Sequence, residues 1–74
     1  MTTTLLREVG EALFGPSWHA DLGRELGVGA RTIRRWAGGQ KPPARVWAEL
    51  HRLVVVRRDR LGDLAGRVEA QASP

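Results

Sequence analysis

WHADLGRELGVGARTIRRW, residues 18–36, is the stretch from which the fold can be read. Trp18, Leu22 and Leu26 recur four apart, which stacks them on one face of a helix over Trp18–Leu26. Gly27 supplies the positive φ that ends a helix, and Val28 tucks an apolar side chain under the turn. A second helix is expected over Ala30–Ala37, burying Ile33 and Trp36 and turning Arg31, Arg34 and Arg35 to the opposite face. A helix with one apolar edge and three guanidinium groups opposite suits a polyanionic surface.

On the amino-terminal side, a helix capped by Thr3 or Thr4 is expected to reach Phe14, with Leu5 or Leu6, Val9, Leu13 and Phe14 as its apolar stripe. Gly10 costs this helix about 1 kcal/mol relative to Ala, so it must rely on packing. Gly15-Pro16 breaks it, Ser17 caps the next helix and Asp21 favours its amino-terminal dipole. On the carboxy-terminal side, Gly38-Gly39 and Pro42-Pro43 form an exit loop. A fourth helix follows from Pro43 or Ala44, and its Val46, Trp47, Leu50, Leu53 and Val54 are expected to close the core over the first three.

Beyond Val56 the pattern thins. Trp47, Leu50, Val54, Arg57, Leu61, Leu64, Val68 and Gln71 alternate spacings of three and four, a seam with which one long helix could meet a second subunit. The alternative is a short fifth helix over about Asp59–Ala70 that folds back, since Gly62 and Gly66 weaken a long helix and Arg57 is a poor core residue. The expected division is a helical domain over 1–56, a helical segment over 57–70 available for a dimer contact, and a disordered tail over 71–74.

Seventy-four residues make one small domain, burying about 60% of its unfolded surface and gaining from dimerisation. The absence of cysteine excludes disulfides, zinc knuckles and thiol chemistry. The opening MTTTLLREVGEALFG lacks the pattern of a signal peptide, and no apolar run is long enough for a membrane span; a cytoplasmic protein without membrane partners is expected. The net charge of +4 is unevenly spread. Residues 1–30 set Arg7 and Arg24 against Glu8, Glu11, Asp21 and Glu25, a net of −2. Residues 31–60 set eight arginines and Lys41 against Glu49 and Asp59, a net of +7, and residues 61–74 come to −1. Positive charge begins at the arginine-bearing helix, as expected of a nucleic-acid binder. A GC-rich coding bias would explain the use of Arg over Lys but not this clustering.

The stretch resembles the helix-turn-helix of DNA-binding repressors. Gly23 lies where the two helices cross closely, Gly27 in the turn, and Ile33 and Trp36 on the inner face of the second helix, with Leu22, Leu26 and Val28 at the matching apolar flanks. The exit AGGQKPP, residues 37–43, is similar to that of the phage lambda repressor and Cro-like families. The resemblance spans roughly Glu8–Leu53. Gly23 stands where Ala is usual, and Gly29 where Ser or Thr would cap the second helix. It implies an all-α, compact four- or five-helix, lambda repressor-like domain that places Ala30–Ala37 in the major groove.

Base contacts are then implied at Ala30, Arg31 and Arg35, with Arg34 reaching a base or a phosphate. Arg is well suited to guanine, whose major-groove edge offers two acceptors to its fork, and Ala30 could meet a thymine methyl. The same resemblance gives His19 a phosphate contact; an isolated exposed histidine is the alternative. Thr32 reads as a phosphate ligand or a surface residue. The backbone amides of Gly38, Gly39 and Gln40, with the Gln40 amide and the Lys41 ammonium, could cradle a phosphate, and Arg45 could add another contact. Trp18, Trp36 and Trp47 read as core, and Arg52, Arg57, Arg58 and Arg60 as a solvated face.

Enzyme chemistry finds no support. His19 and His51 have no carboxylate or cysteine at metal-binding spacing, Asp59 and Asp63 are bracketed by arginines, and no phosphate loop is present. No cofactor is expected. The function expected is that of a sequence-specific regulator of double-stranded DNA, a homodimeric repressor of phage or mobile-element type. Its rivals are the antitoxin of a toxin–antitoxin pair and a protein-interaction adaptor using the same fold.

Overall fold

A computed structural model describes residues 2–73, with side chains from residue 5 onward. Four helices follow in order: α1 Thr2–Phe14, α2 Trp18–Leu26, α3 Ala30–Ala37 and α4 Ala44–Ala72. The described residues form no strand. None of these helices is long and apolar enough to cross a membrane. α1 begins at Thr2 rather than Thr3 or Thr4; the expected threonine cap falls on side chains outside those described.

The core is one cluster, in which Leu6 of α1, Trp18, Leu22 and Leu26 of α2, Ile33 and Trp36 of α3 and Val46 and Leu50 of α4 pack together. Between the two candidates on α1, Leu6 is fully buried and Leu5 is half exposed. The fourth helix closes the core as its apolar stripe requires, but with a narrower face than the sequence indicates. Val46 and Leu50 are buried, Trp47 and Leu53 only partly, and Val54 is exposed.

Two glycines are accounted for by close approach. At Gly10 a Cβ would collide with the indole of Trp18, reaching 2.9 Å from Cζ3 and closer still to other ring atoms. The helix-propensity penalty thus makes room for a buried tryptophan. At Gly23 a Cβ would lie 2.6 Å from the Val28 carbonyl oxygen. The usual alanine would not fit this crossing without a backbone shift, because α2 and the turn approach more closely than a methyl allows.

α2 ends as the sequence indicates. Gly27 takes φ 73°, its N–H donates to the Arg24 carbonyl at 3.4 Å, and the Val28 N–H donates to the Gly23 carbonyl at 2.9 Å, which is the Schellman pattern. Its start differs. Ser17 makes no side-chain cap, because its φ of −99° and ψ of 41° depart from the extended geometry that aims a hydroxyl at the first turn.

α4 is continuous over 29 residues, so residues 57–70 extend the fourth helix instead of folding back. Gln71 and Ala72, expected in a disordered tail, form its last turn, and the Ser73 N–H and Oγ both donate to the Glu69 carbonyl, at 3.0 and 3.1 Å. Pro74 lies outside the described residues. Gly62 and Gly66 do not break the helix because the anchored segment before them has already met the cost of nucleation, and elongation adds one bond per residue. The result is elongated. The radius of gyration is 14.8 Å, against about 11 Å for a compact chain of this length, and the longest extent is 51 Å against 23 and 22 Å.

Candidate functional site

α3 is held by its inner residues. Ile33 is fully buried and Trp36 is 6% exposed, which fixes the rotation of the helix and turns Arg31, Arg34 and Arg35 into solvent on its outer face. Ala30 and Thr32 are half buried at the margins of that face. Gly29 gives α3 no side-chain cap, as its residue type dictates, and its carbonyl accepts from the Thr32 and Ile33 N–H groups at 3.0 and 3.2 Å.

The electrostatics of the two halves differ. Among the described residues, five arginines have a carboxylate within 4.0 Å: Arg24 with Asp21, Arg52 with Glu49, Arg58 with Asp59, and Arg60 and Arg67 with Asp63. The hydrogen bond that Arg52 donates to the Glu49 carboxylate holds its guanidinium above its ordinary pKa. No carboxylate of the described residues lies so near Arg31, Arg34, Arg35, Lys41 or Arg45. The reason is in the chain itself, which has no Asp or Glu between Glu25 and Glu49. α3, the exit loop and the start of α4 therefore present unneutralised positive charge, whereas the arginines farther along α4 are largely matched on their own helix.

The exit loop departs from expectation. The amides of Gly38, Gly39 and Gln40 do not face outward to cradle an anion. They donate to the carbonyls of Arg34, Trp36 and Arg35, at 2.9, 3.2 and 3.1 Å, and satisfy the open carboxy-terminal end of α3. Gly39 therefore has a structural duty, supported by its φ of 127°. What the loop offers outward are the exposed side chains of Gln40 and Lys41, with exposed Arg45 one turn beyond.

His19 is neither isolated nor fully exposed. Its ring stacks on Trp18 with centroids 4.0 Å apart and planes at 24°, so the core tryptophan sets its orientation at the amino end of α2. Trp18 and Trp36 are core residues, while Trp47 is half buried and lines a groove beside α1. Arg57 corrects the reading of a solvated face. Its Nη1 donates to the Leu13 carbonyl at 2.9 Å, closing the last turn of α1 from 44 residues away. Only its place on a largely apolar seam hinted at that role.

Comparison with protein-family models, curated protein sequences and solved structures gives no match.

Proposed function

We propose that the chain is a sequence-specific regulator of double-stranded DNA, with α2 and α3 acting as a helix-turn-helix of the lambda repressor and Cro type. The observation that carries this reading is the outer face of α3, where three exposed arginines stand together with no carboxylate of the described residues within 4.0 Å. An eight-residue helix is about 12 Å long and suits a major groove about 12 Å wide. Arg31 and Arg35, one turn apart, read guanine edges, and Arg34 contacts a base or the adjoining phosphate. Ala30 meets the groove at the amino end of the helix.

Phosphate contacts come from His19, held by its stack on Trp18, and from Gln40, Lys41 and Arg45. Thr32 serves at the edge of the same surface. These contacts set register and carry no sequence information, whereas the arginines of α3 carry it. The protein acts in the cytoplasm as a homodimer on an inverted repeat and represses by occupying an operator. No catalysis and no cofactor enter this reading.

The test is selection of tight binders from a randomised duplex library at about 0.15 M salt, where nonspecific phosphate attraction is partly screened. An enriched sequence with guanines in each half-site is the expected result. Arg31→Ala and Arg35→Ala then cost about 1–3 kcal/mol each and relax preference at one base pair. Lys41→Ala weakens all sequences alike and lowers the salt slope by about 1. No enrichment, or equal sequence-blind losses for all three variants, would overturn the assignment.

A further inference from the structure

The outer half of α4 carries apolar side chains that the monomer leaves uncovered. Leu61 is 56% and Val68 66% exposed, and the two lie seven residues, about 10.5 Å, apart along one face of the helix. Two apolar grooves open beside α1 on the same side. The first is lined by Leu5 and Val9 of α1 with Trp47, Leu50, His51 and Val54 of α4. The second, of about 340 Å³, is lined by Ala12 and Leu13 with Val54, Arg57, Arg58 and Leu61. Their α4 residues centre near positions 50–51 and 57–58, so the grooves are spaced like the two exposed side chains.

The geometry points to a two-fold dimer in which α4 runs antiparallel to the α4 of a second copy. Each copy seats Val68 in the partner's first groove and Leu61 in its second. One register satisfies both placements, with position 68 over 50–51 and 61 over 57–58, and the two-fold axis crosses α4 near Asp59.

A parallel pairing fails on two counts. Shifting the helices to bring Leu61 to the first groove and Val68 to the second makes a head-to-tail contact, which builds open arrays and not a closed pair. Without the shift, only the outer turns from Leu61 to Val68 meet, far fewer than the roughly 20–30 residues a side of a stable interface. The antiparallel arrangement engages the whole α4 edge together with Leu5, Val9 and Ala12.

The placement of polar side chains agrees with this orientation. His51 and Glu69 are eighteen residues, five full turns, apart and so share one flank of the helix. Antiparallel pairing sets each Glu69 carboxylate across from the partner's His51. Near the two-fold axis Arg58 is already paired with Asp59 at 3.3 Å, and the Arg57 guanidinium, which no carboxylate balances, is tied back to the Leu13 carbonyl of α1. This pairing goes beyond the nucleic-acid reading and is tested without any nucleic acid.

Equilibrium sedimentation of the full chain at micromolar concentration should give twice the 8.2 kDa monomer mass. Leu61→Glu or Val68→Glu should each raise the dimer dissociation constant by at least about tenfold, or 1.4 kcal/mol, while the helical circular dichroism signal persists, because both side chains are exposed in the monomer. The chain has no cysteine, so orientation can be read by cross-linking. His51→Cys mixed with Glu69→Cys should form a disulfide-linked pair. Either variant alone should not, since like positions lie about 25–30 Å apart along the antiparallel helices. A monomer at every concentration overturns the proposal, as does self-cross-linking of Glu69→Cys or a dimer that withstands both glutamates.

Discussion

Replacing Gly10 by alanine sets helix propensity against packing. Propensity alone says that Gly10→Ala in the middle of α1 stabilises the protein by about 1 kcal/mol. The structure says the reverse. The added methyl would stand 2.9 Å from Cζ3 of Trp18 and nearer still to the rest of the ring, where carbon atoms prefer about 3.5–4.0 Å. The indole would have to retreat by roughly an ångström or more to restore that spacing. It has nowhere to go, because Trp18 is 2% exposed and packed in the same cluster as Leu22, Ile33 and Trp36. Overpacking of this kind costs about 1–3 kcal/mol and occasionally more. Because several Trp18 ring atoms would lie inside 3.0 Å of the methyl, the upper part of that range, about 2–3 kcal/mol, applies. After the propensity gain is subtracted, a net loss of about 1–2 kcal/mol remains, or roughly 5–15 °C in Tm for a domain of this size. Thermal unfolding followed by circular dichroism and tryptophan fluorescence measures it. Gly62→Ala and Gly66→Ala are the controls, since nothing lies within 4 Å of either added methyl, and both should increase the helical signal. If Gly10→Ala melts at or above the parent temperature, the account of Gly10 as the seat of Trp18 is refuted.

Two further substitutions probe the ends of helices. Arg57→Met keeps an aliphatic stem but leaves the Leu13 carbonyl without its donor, and should cost on the order of 1 kcal/mol; the melt is best taken in the Leu61→Glu background, where association is removed, and an unchanged Tm would show that the cap contributes nothing. Gly29→Ser should stabilise by about 0.5–1 kcal/mol through a new cap on α3 and a stiffer unfolded chain. Its φ of −73° and ψ of 156° suit any residue, and no atom lies within 4 Å of the added Cβ. A lower denaturant midpoint for Gly29→Ser would mean that the hydroxyl cannot reach the first-turn amides.

What could be read from the chain and what could not divide along the range of the interactions involved. The α2–turn–α3 unit was legible because its determinants are local. Apolar residues at helical spacing, a glycine at the required left-handed position and three arginines opposite Ile33 and Trp36 act within one or two turns of backbone. The exposure of the arginine face follows from the same periodicity. The tertiary structure decided matters that depend on where distant segments meet. It buried Leu6 in place of Leu5, set Gly10 against Trp18, and carried the Arg57 guanidinium to the end of α1. The Gly38–Gln40 amides, by contrast, turn back to the carbonyls of α3 within five residues, a local closure that the composition of the loop did not reveal. Local preference was nearly balanced between an extended and a folded-back carboxy-terminal segment, and elongation from an already anchored helix resolved it. The sequence by itself determined the central turns of the helices and where the charge lies, because both repeat within a few residues. Only the packed structure determined which polar groups remain available to a partner, because that depends on which donors and acceptors the fold has already used.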